Sequence, residues 1–320
     1  MNIESYKKCS STISLQGREK SVRKSSIRAQ YVFLFPSDFL NNREPDFDYK
    51  NEYEAAKRYF TVVLINQEKL FDRNEVSVNL KISNGDVVIY RGWMLKPTQY
   101  ALLVAYVTHH GGRMFTDQSA YEYTHLLPNW MQGDGSYVPA VWTEDLSDAA
   151  IRKMLSRFSG AVTIKDYVKS RKFEWSDAFY IPDVADEQNA LRVIHNFISR
   201  QGDDLVGGLV IREFVDLKSI GEHPHSHTPI FEEYRVFYMQ RKPLVIIDYW
   251  RNDVVELSET DLHIINRVTE QVASDFYTVD FVRSIDGKLI VMEMGDRQVS
   301  GLQNYDEQRF YDAIKERLLD

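Results

Sequence analysis

Cysteine is almost missing from this chain: Cys9 is the only one in 320 residues. A lone thiol cannot form an internal disulfide, and a cysteine-rich zinc site is excluded. A reducing, cytoplasmic setting is therefore expected. Long apolar runs are missing too. None approaches the roughly 20 residues that a membrane helix needs, and the N-terminus has no hydrophobic core of an export signal. Positive charge is in deficit, with 39 Lys and Arg against 47 Asp and Glu and a formal net charge of −8. The broad cationic field that dominates nucleic-acid affinity is thus absent, which makes a nucleic-acid partner unfavoured, though a local basic groove is compatible with it. Neither Gly-x-Gly-x-x-Gly nor a Gly-Lys-Ser/Thr phosphate loop occurs, so dinucleotide binding and a Walker-type site have no support.

What is present is an ordinary globular composition, 43% hydrophobic and 27% charged, with 19 Tyr and 17 Phe. That is enough for a sizeable core shared by two or three lobes. Residues 1–28 are Ser-rich and basic, with Lys7, Lys8, Arg18, Lys20, Arg23, Lys24 and Arg28. They read as a tail or as an electrostatic contact for an acidic partner.

The apolar run Tyr31 to Phe35 stops at Pro36 and predicts a buried strand. Further strands are expected at Thr61 to Ile65 and Val87 to Tyr90, and helices at 48–59 and 98–110. That order suggests an α/β lobe with a largely parallel sheet over 29–125. The remainder, 126–320, reads as α+β, in lobes of about 126–215 and 216–320. It has a helix over 145–157 capped by Asp145, a strand ending in Lys165, an amphipathic helix over 187–200 and a strand at Leu209 to Val215. Strands at Tyr234 to Tyr238 and Leu244 to Tyr249, a helix over 259–273, a hairpin and a helix over 305–319 complete it.

The hairpin carries chemistry. Asp280 precedes the turn at Asp286-Gly287, and Glu293 and Asp296 follow it. Carboxylates opposed across a ladder repel unless something positive lies between them. Mg²⁺ on nucleotide phosphates is one solution; solvated surface carboxylates are the alternative. Lys165 and Lys169 follow a buried strand, where they form either a phosphate site or a solvated basic loop. Arg91, beside Gly92 and Trp93, is either a stacked structural arginine or an anion-binding group. His223, His225 and His227 invite a metal reading, which Pro224 opposes by favouring a loop.

In order, strand-Lys165, Glu213-Phe214-Val215, Glu233-Tyr234-Arg235, Asp280 and Glu293 resemble the ATP-grasp superfamily over roughly 150–302. The first lobe then resembles the family's preceding α/β domain. Arg91-Gly92-Trp93-Met94, Lys165 with Lys169, and Glu293 to Leu302 further resemble the clade marked by one arginine and two lysines. The resemblance implies an ATP-dependent, amide-forming ligase that uses ATP and Mg²⁺ on small-molecule or peptide carboxylates and amines. It implies ATP phosphates on Lys165 and Lys169, adenine at the backbone of Glu213 to Val215 and ribose on Glu233. Arg235 would face phosphate or the acyl intermediate, Arg91 would bind substrate, and Asp280, Glu293 and Asp296 would hold the metal. Two departures stand out. Position 295 is Gly where the family usually has Asn, and Asp166 to Trp175 holds no glycine. An ATP-grasp phosphotransferase, a nucleic-acid end-joining ligase and a non-catalytic nucleotide-binding module are the rival readings.

Overall fold

The computed structural model describes residues 30–131, 136–222, 229–250, 255 and 257–319. The basic tail with Cys9, and His223, His225 and His227, lie outside the described residues. The N-terminal lobe runs β1 (Tyr31–Pro36), α1 (Lys50–Lys57), β2 (Thr61–Ile65), α2 (Gln67–Arg73), β3 (Val87–Tyr90), α3 (Pro97–His109), β4 (Arg113–Met114), α4 (Gln118–His125) and α5 (Leu127–Trp130). Its sheet has the order β2-β1-β3-β4 and every pairing is parallel. Both faces are covered, which is why its strands are apolar throughout rather than alternating. Val32, Leu34, Val63 and Tyr90 pack toward α3 and α4, while Phe33, Phe35, Leu64 and Ile89 pack toward α1 and the last helix of the chain.

The middle lobe contains β5 (Ala140–Thr143), α6 (Asp148–Leu155), β6 (Val162–Asp166), α7 (Trp175–Ala178), β7 (Tyr180–Ile181), α8 (Glu187–Gln201) and β8 (Leu209–Glu213). Its antiparallel sheet is ordered β5-β8-β6-β7. Helix α6 starts later than Asp145 suggests. Ser147 is its cap, accepting from the Ala150 N–H, and Asp145 instead accepts from the Ser147 N–H at 2.9 Å. Gly208 is required by close approach: a Cβ there would collide with the Thr143 carbonyl oxygen on β5.

A short hairpin, β9 (Ser219–Glu222) and β10 (Pro229–Phe231), leads to β11 (Glu233–Met239), β12 (Lys242–Asp248), α9 (Glu259–Gln271), β13 (Phe276–Arg283), β14 (Leu289–Asp296) and α10 (Glu307–Leu319). The third sheet is antiparallel, ordered β12-β11-β13-β14. One face, with Val236, Tyr238, Val279 and Phe281, packs on α9 residues Ile265 and Val268. The other face is divided. Phe237, Met239 and Phe276 join the core beneath α10, whereas Glu233, Arg235 and Asp280 line a cleft. Among the described residues no helix is long and apolar enough to cross a membrane.

A buried ionic knot joins the first lobe to the third. Glu52 on α1 receives two bonds from Arg91, from Nε at 2.7 Å and Nη2 at 2.5 Å, and lies 3.4 Å from Arg297. The Tyr311 hydroxyl bonds it at 3.3 Å. Burial raises the Glu52 pKa, but Arg91 and Arg297 outweigh it, and the net shift is downward. A depressed folded pKa gives stability that is present above the unfolded value and lost as pH falls through the folded one. Removing one partner of such a pair leaves a buried unmatched charge, so Glu52→Ala is expected to cost about 3–5 kcal/mol in chemical denaturation at pH 7. Glu52→Gln should flatten the loss of stability on acidification below about pH 4.3, the ordinary glutamate pKa, as followed by thermal unfolding. Gly208→Ala should lower the melting temperature by several degrees by separating β5 from β8.

Candidate active site

The middle and third sheets face each other across a cleft of about 540 Å³. On the middle sheet, β6 and β8 pair so that Thr163 opposes Arg212 and Lys165 opposes Val210. Directly opposed residues share a face, so Thr163, Lys165, Val210 and Arg212 point the same way. On the third sheet Arg235 opposes Asp280, and Asp280 opposes Glu293. Three adjacent strands thereby lay one cation and two carboxylates in a row across the sheet.

The row is closed by charge from both lobes. Arg235 donates from Nε to Asp280 Oδ1 and from Nη2 to Oδ2, each at 2.7 Å. Such a two-point guanidinium–carboxylate fit is the strong form of this contact. Lys165, only 3% exposed, reaches across the cleft to Glu293 Oε2 at 2.7 Å. Arg212 stands 3.7 Å from the same oxygen and donates to the Met292 carbonyl at 2.6 Å. Its buried Nε has no partner among the described residues, and burial lowers its pKa. Tyr249 lies against the Arg235 guanidinium, 5.0 Å from its ring centre. Glu233, two residues before Arg235 and on the same face, is pushed up to about 8 by burial and by Asp280, with Arg235 and Lys172 acting the other way.

The far end of the cleft is apolar. Phe214, Val215, Trp175, Phe179 and Phe231 line it. Tyr180 meets Phe214 edge-on at 4.9 Å and stacks on Trp175 at 5.0 Å. A flat apolar slot at one end and cations with acceptor carboxylates at the other suit a ligand with a heteroaromatic ring and a polyphosphate. The donor set also fits Mg²⁺, which takes few carboxylates and completes its shell with phosphate and water. Among the described residues no group of three or more His, Cys, Asp or Glu is clustered, so Asp280 and Glu293 are the donors on offer.

Four expectations need correction. Asp296 is not part of the row: Met294 and Asp296 point to the opposite face from Glu293 and Gly295. Asp296 is fully buried and accepts from the Gln298 N–H at 2.9 Å and the Gln298 side chain at 3.0 Å. Burial pushes its carboxyl up to about 7. Arg91 is spent on Glu52, with its guanidinium 4.8 Å from the Tyr49 ring centre, because α1 turns Glu52 inward; it does not reach the cleft. Lys169 is exposed and lines a separate cavity, since the chain turns sharply after Lys165. Asp166 enforces that turn by accepting from the Val168 and Lys169 N–H groups at 2.6 and 2.5 Å. Finally, the N–H groups of Glu213 and Phe214 are already taken by the carbonyls of Pro139 and Ala161. The Glu213 carbonyl, which faces Pro139 and so meets no N–H there, and the backbone from Val215 onward form the edge left for a ligand.

Sequence reasoning does not single out Arg212, Tyr249 or the Trp175–Phe179 pair. Arg212 has a signal, a charge directly after the apolar run Leu209-Val210-Ile211 and still within the strand. Trp175 and Phe179 read only as loop aromatics until the sheet carries Phe214 beside them.

A family model described as an ATP-grasp domain, family 3 of the clade named for one arginine and two lysines, matches residues 154–314. No curated protein matches the chain in sequence. Among solved structures, the D-cycloserine synthetase DcsG is 16% identical with a TM-score of 0.58, over 91% of this chain and 100% of that one. A RimK domain ATP-grasp protein from Sphaerobacter thermophilus is 13% identical with a TM-score of 0.55, over 89% and 99%. The ATP-grasp ligase PsnB, complexed with minimal precursor, Mg and ADP, is 12% identical with a TM-score of 0.55, over 91% and 98%. The family match takes in Lys165, Arg212, Glu233, Arg235, Asp280 and Glu293, and the chain belongs to that third family of the arginine-and-two-lysine clade of ATP-grasp domains.

Proposed function

We propose that this protein is an ATP-dependent ligase of the carboxylate–amine type. It activates a carboxylate as an acylphosphate, joins it to an amine and releases ADP and phosphate. The observation that carries the reading is the Arg235–Asp280–Glu293 row with Lys165 closing it from the facing lobe. Phosphoryl transfer asks little covalent chemistry of a protein; it asks for positioning and for neutralisation of charge. Mg²⁺, when bound, supplies part of that neutralisation, and Asp280 and Glu293 are the residues that would hold it.

The row is balanced by internal pairs before any ligand enters, which suits an exchange of partners. Phosphate oxygens would replace Glu293 on Lys165 and Arg212 and Asp280 on Arg235, which would leave Asp280 and Glu293 as the residues to hold Mg²⁺. Each buried charge keeps an opposite neighbour, so the desolvation penalty of an unpaired ion is avoided. The purine lies in the slot of Phe214, Trp175 and Phe179 with its edge toward Val215. Glu233 takes the ribose hydroxyls. Arg235 is placed to stabilise charge as the γ-phosphoryl group moves to the acyl oxygen. The substrates are amino-acid or peptide carboxylates and amines, a class supported by the cycloserine synthetase and by the PsnB precursor complex.

Lys165→Ala and Glu293→Gln are each expected to lower ATP turnover by roughly 10²-fold or more, measured as ADP release with a panel of carboxylate and amine substrates. Normal turnover in Glu293→Gln would sink the metal assignment. Product analysis separates the rivals. An amide with ADP supports the ligase, a phosphorylated substrate supports a phosphotransferase, AMP with a joined strand supports end joining, and nucleotide binding without turnover supports a passive module. Glu233 is a site residue that costs stability. Its raised folded pKa means that stability falls as pH rises from the unfolded value toward about 8. Ligand-free Glu233→Gln should melt several degrees above the wild type at pH 9, with the gap closing by pH 5, while binding nucleotide more weakly.

A further inference from the structure

The cleft does not end at the carboxylate row. Arg235, Asp280 and Glu293 also wall a second cavity of about 210 Å³, whose other side includes Met94, His125 and Val168. Those three residues are shared with a third cavity of about 400 Å³, which carries Lys96, Lys169, Asp72 and Asp204. The third cavity alone has the size of a small-molecule site. His125 stands at the throat between the two.

Its placement is unusual for a histidine. It is the last residue of α4 and 6% exposed. Its ring packs on Tyr121 at 4.7 Å, and Tyr121 packs on Tyr100 at 3.9 Å. The Tyr121 hydroxyl donates to the Leu95 carbonyl at 2.7 Å and accepts from the Leu95 N–H at 3.1 Å, so the stack is held rigidly. Among the described residues neither His125 nitrogen has a hydrogen-bond partner on the protein. A helix C-terminus ordinarily favours imidazolium. Here burial, then the charge of Lys169, then that of Lys165, hold the ring neutral, down to a pKa of about 3. A neutral imidazole keeps one lone pair for accepting a hydrogen bond. Lys96 is already tied to the Asp203 carbonyl at 2.8 Å. Lys169 makes no ion pair among the described residues and keeps its ammonium for a ligand.

Resting on the ligase reading, we propose that the third cavity takes the attacking amine in the form of an amino acid. Lys169 binds its carboxylate, and His125 accepts a hydrogen bond from its amino group at the throat. The neutral amino nitrogen attacks the acyl carbon. The C–N bond forms, the C–O bond to phosphate breaks, and phosphate leaves with the bonding pair. The proton lost by nitrogen leaves with the departing phosphate, a stronger base than this ring, while His125 orients the amine through its hydrogen bond.

The test is calorimetric titration of the full-length protein, carrying Mg²⁺ and a non-hydrolysable ATP analogue, with the standard protein amino acids and with methylamine and ethylamine. At least one amino acid should bind, with both simple amines weaker by roughly tenfold or more. Lys169→Met should weaken that amino acid by a similar factor and leave the affinity for the analogue unchanged. The ring ¹⁵N signals of His125 should shift on addition of the amino acid, and His125→Gln should remove them without loss of the analogue. If the analogue binds and no amino acid does, the inference fails and the ligase reading stands. It fails equally if the amines match the acid, if Lys169→Met binds normally, or if the His125 signals stay still. Failure to bind the analogue would remove the ligase reading and this inference together.

Discussion

Two carboxylates on neighbouring strands, Asp280 opposite Glu293, impose the constraint around which the site is built. Placed side by side, Asp280 buried and Glu293 half buried, they destabilise the hairpin unless cations reach them. Arg235 answers from the next strand, and Lys165 and Arg212 answer from the other lobe. The same electrostatics that makes the hairpin tolerable therefore brings two separately folded sheets face to face. The charges that stabilise the ligand-free protein are those a nucleotide and its metal would exchange with.

A second ionic assembly sets the distance between the outer lobes. Glu52 on α1 meets Arg91 at the end of β3 and Arg297 just after β14. Arg297 is fully buried and stacks 4.4 Å from the Phe310 ring centre on α10. Gln298 adds to the seam, donating to the Tyr100 hydroxyl at 2.8 Å and accepting from the Tyr90 N–H at 2.9 Å. With the first lobe pinned to the third in this way, α4 presents His125 to the end of the nucleotide cleft. The cavities beyond the carboxylate row owe their walls to a contact far from any proposed chemistry.

Much of this was legible in the chain. The apolar runs at β1, β2 and β3 announce a sheet buried on both faces, because a strand covered twice has no polar side to show. The turn at Asp286-Gly287 announces the hairpin, and counting out from it opposes Asp280 and Glu293. The strands reach that pairing through a register shift between Asp280 and Phe281 that the sequence does not announce. Helix ends were less legible. Asp145 and Ser147 are both competent caps, and the choice between them depends on which one the packing of α6 leaves free to bond.

The sequence by itself determined where most strands and helices lie, the like-charged hairpin and the type of chemistry that lysine, arginine and carboxylate can perform together. Those properties depend on residue type and short-range spacing. Tertiary structure alone decided which charges share a face. A shift of three residues, from Glu293 to Asp296, turns a side chain from the cleft into the core. A turn held by Asp166 separates Lys169 from Lys165, and an inward Glu52 converts Arg91 from a candidate ligand group into a structural tie. Each outcome depends on partners distant in sequence, whose meeting is fixed only when the lobes pack.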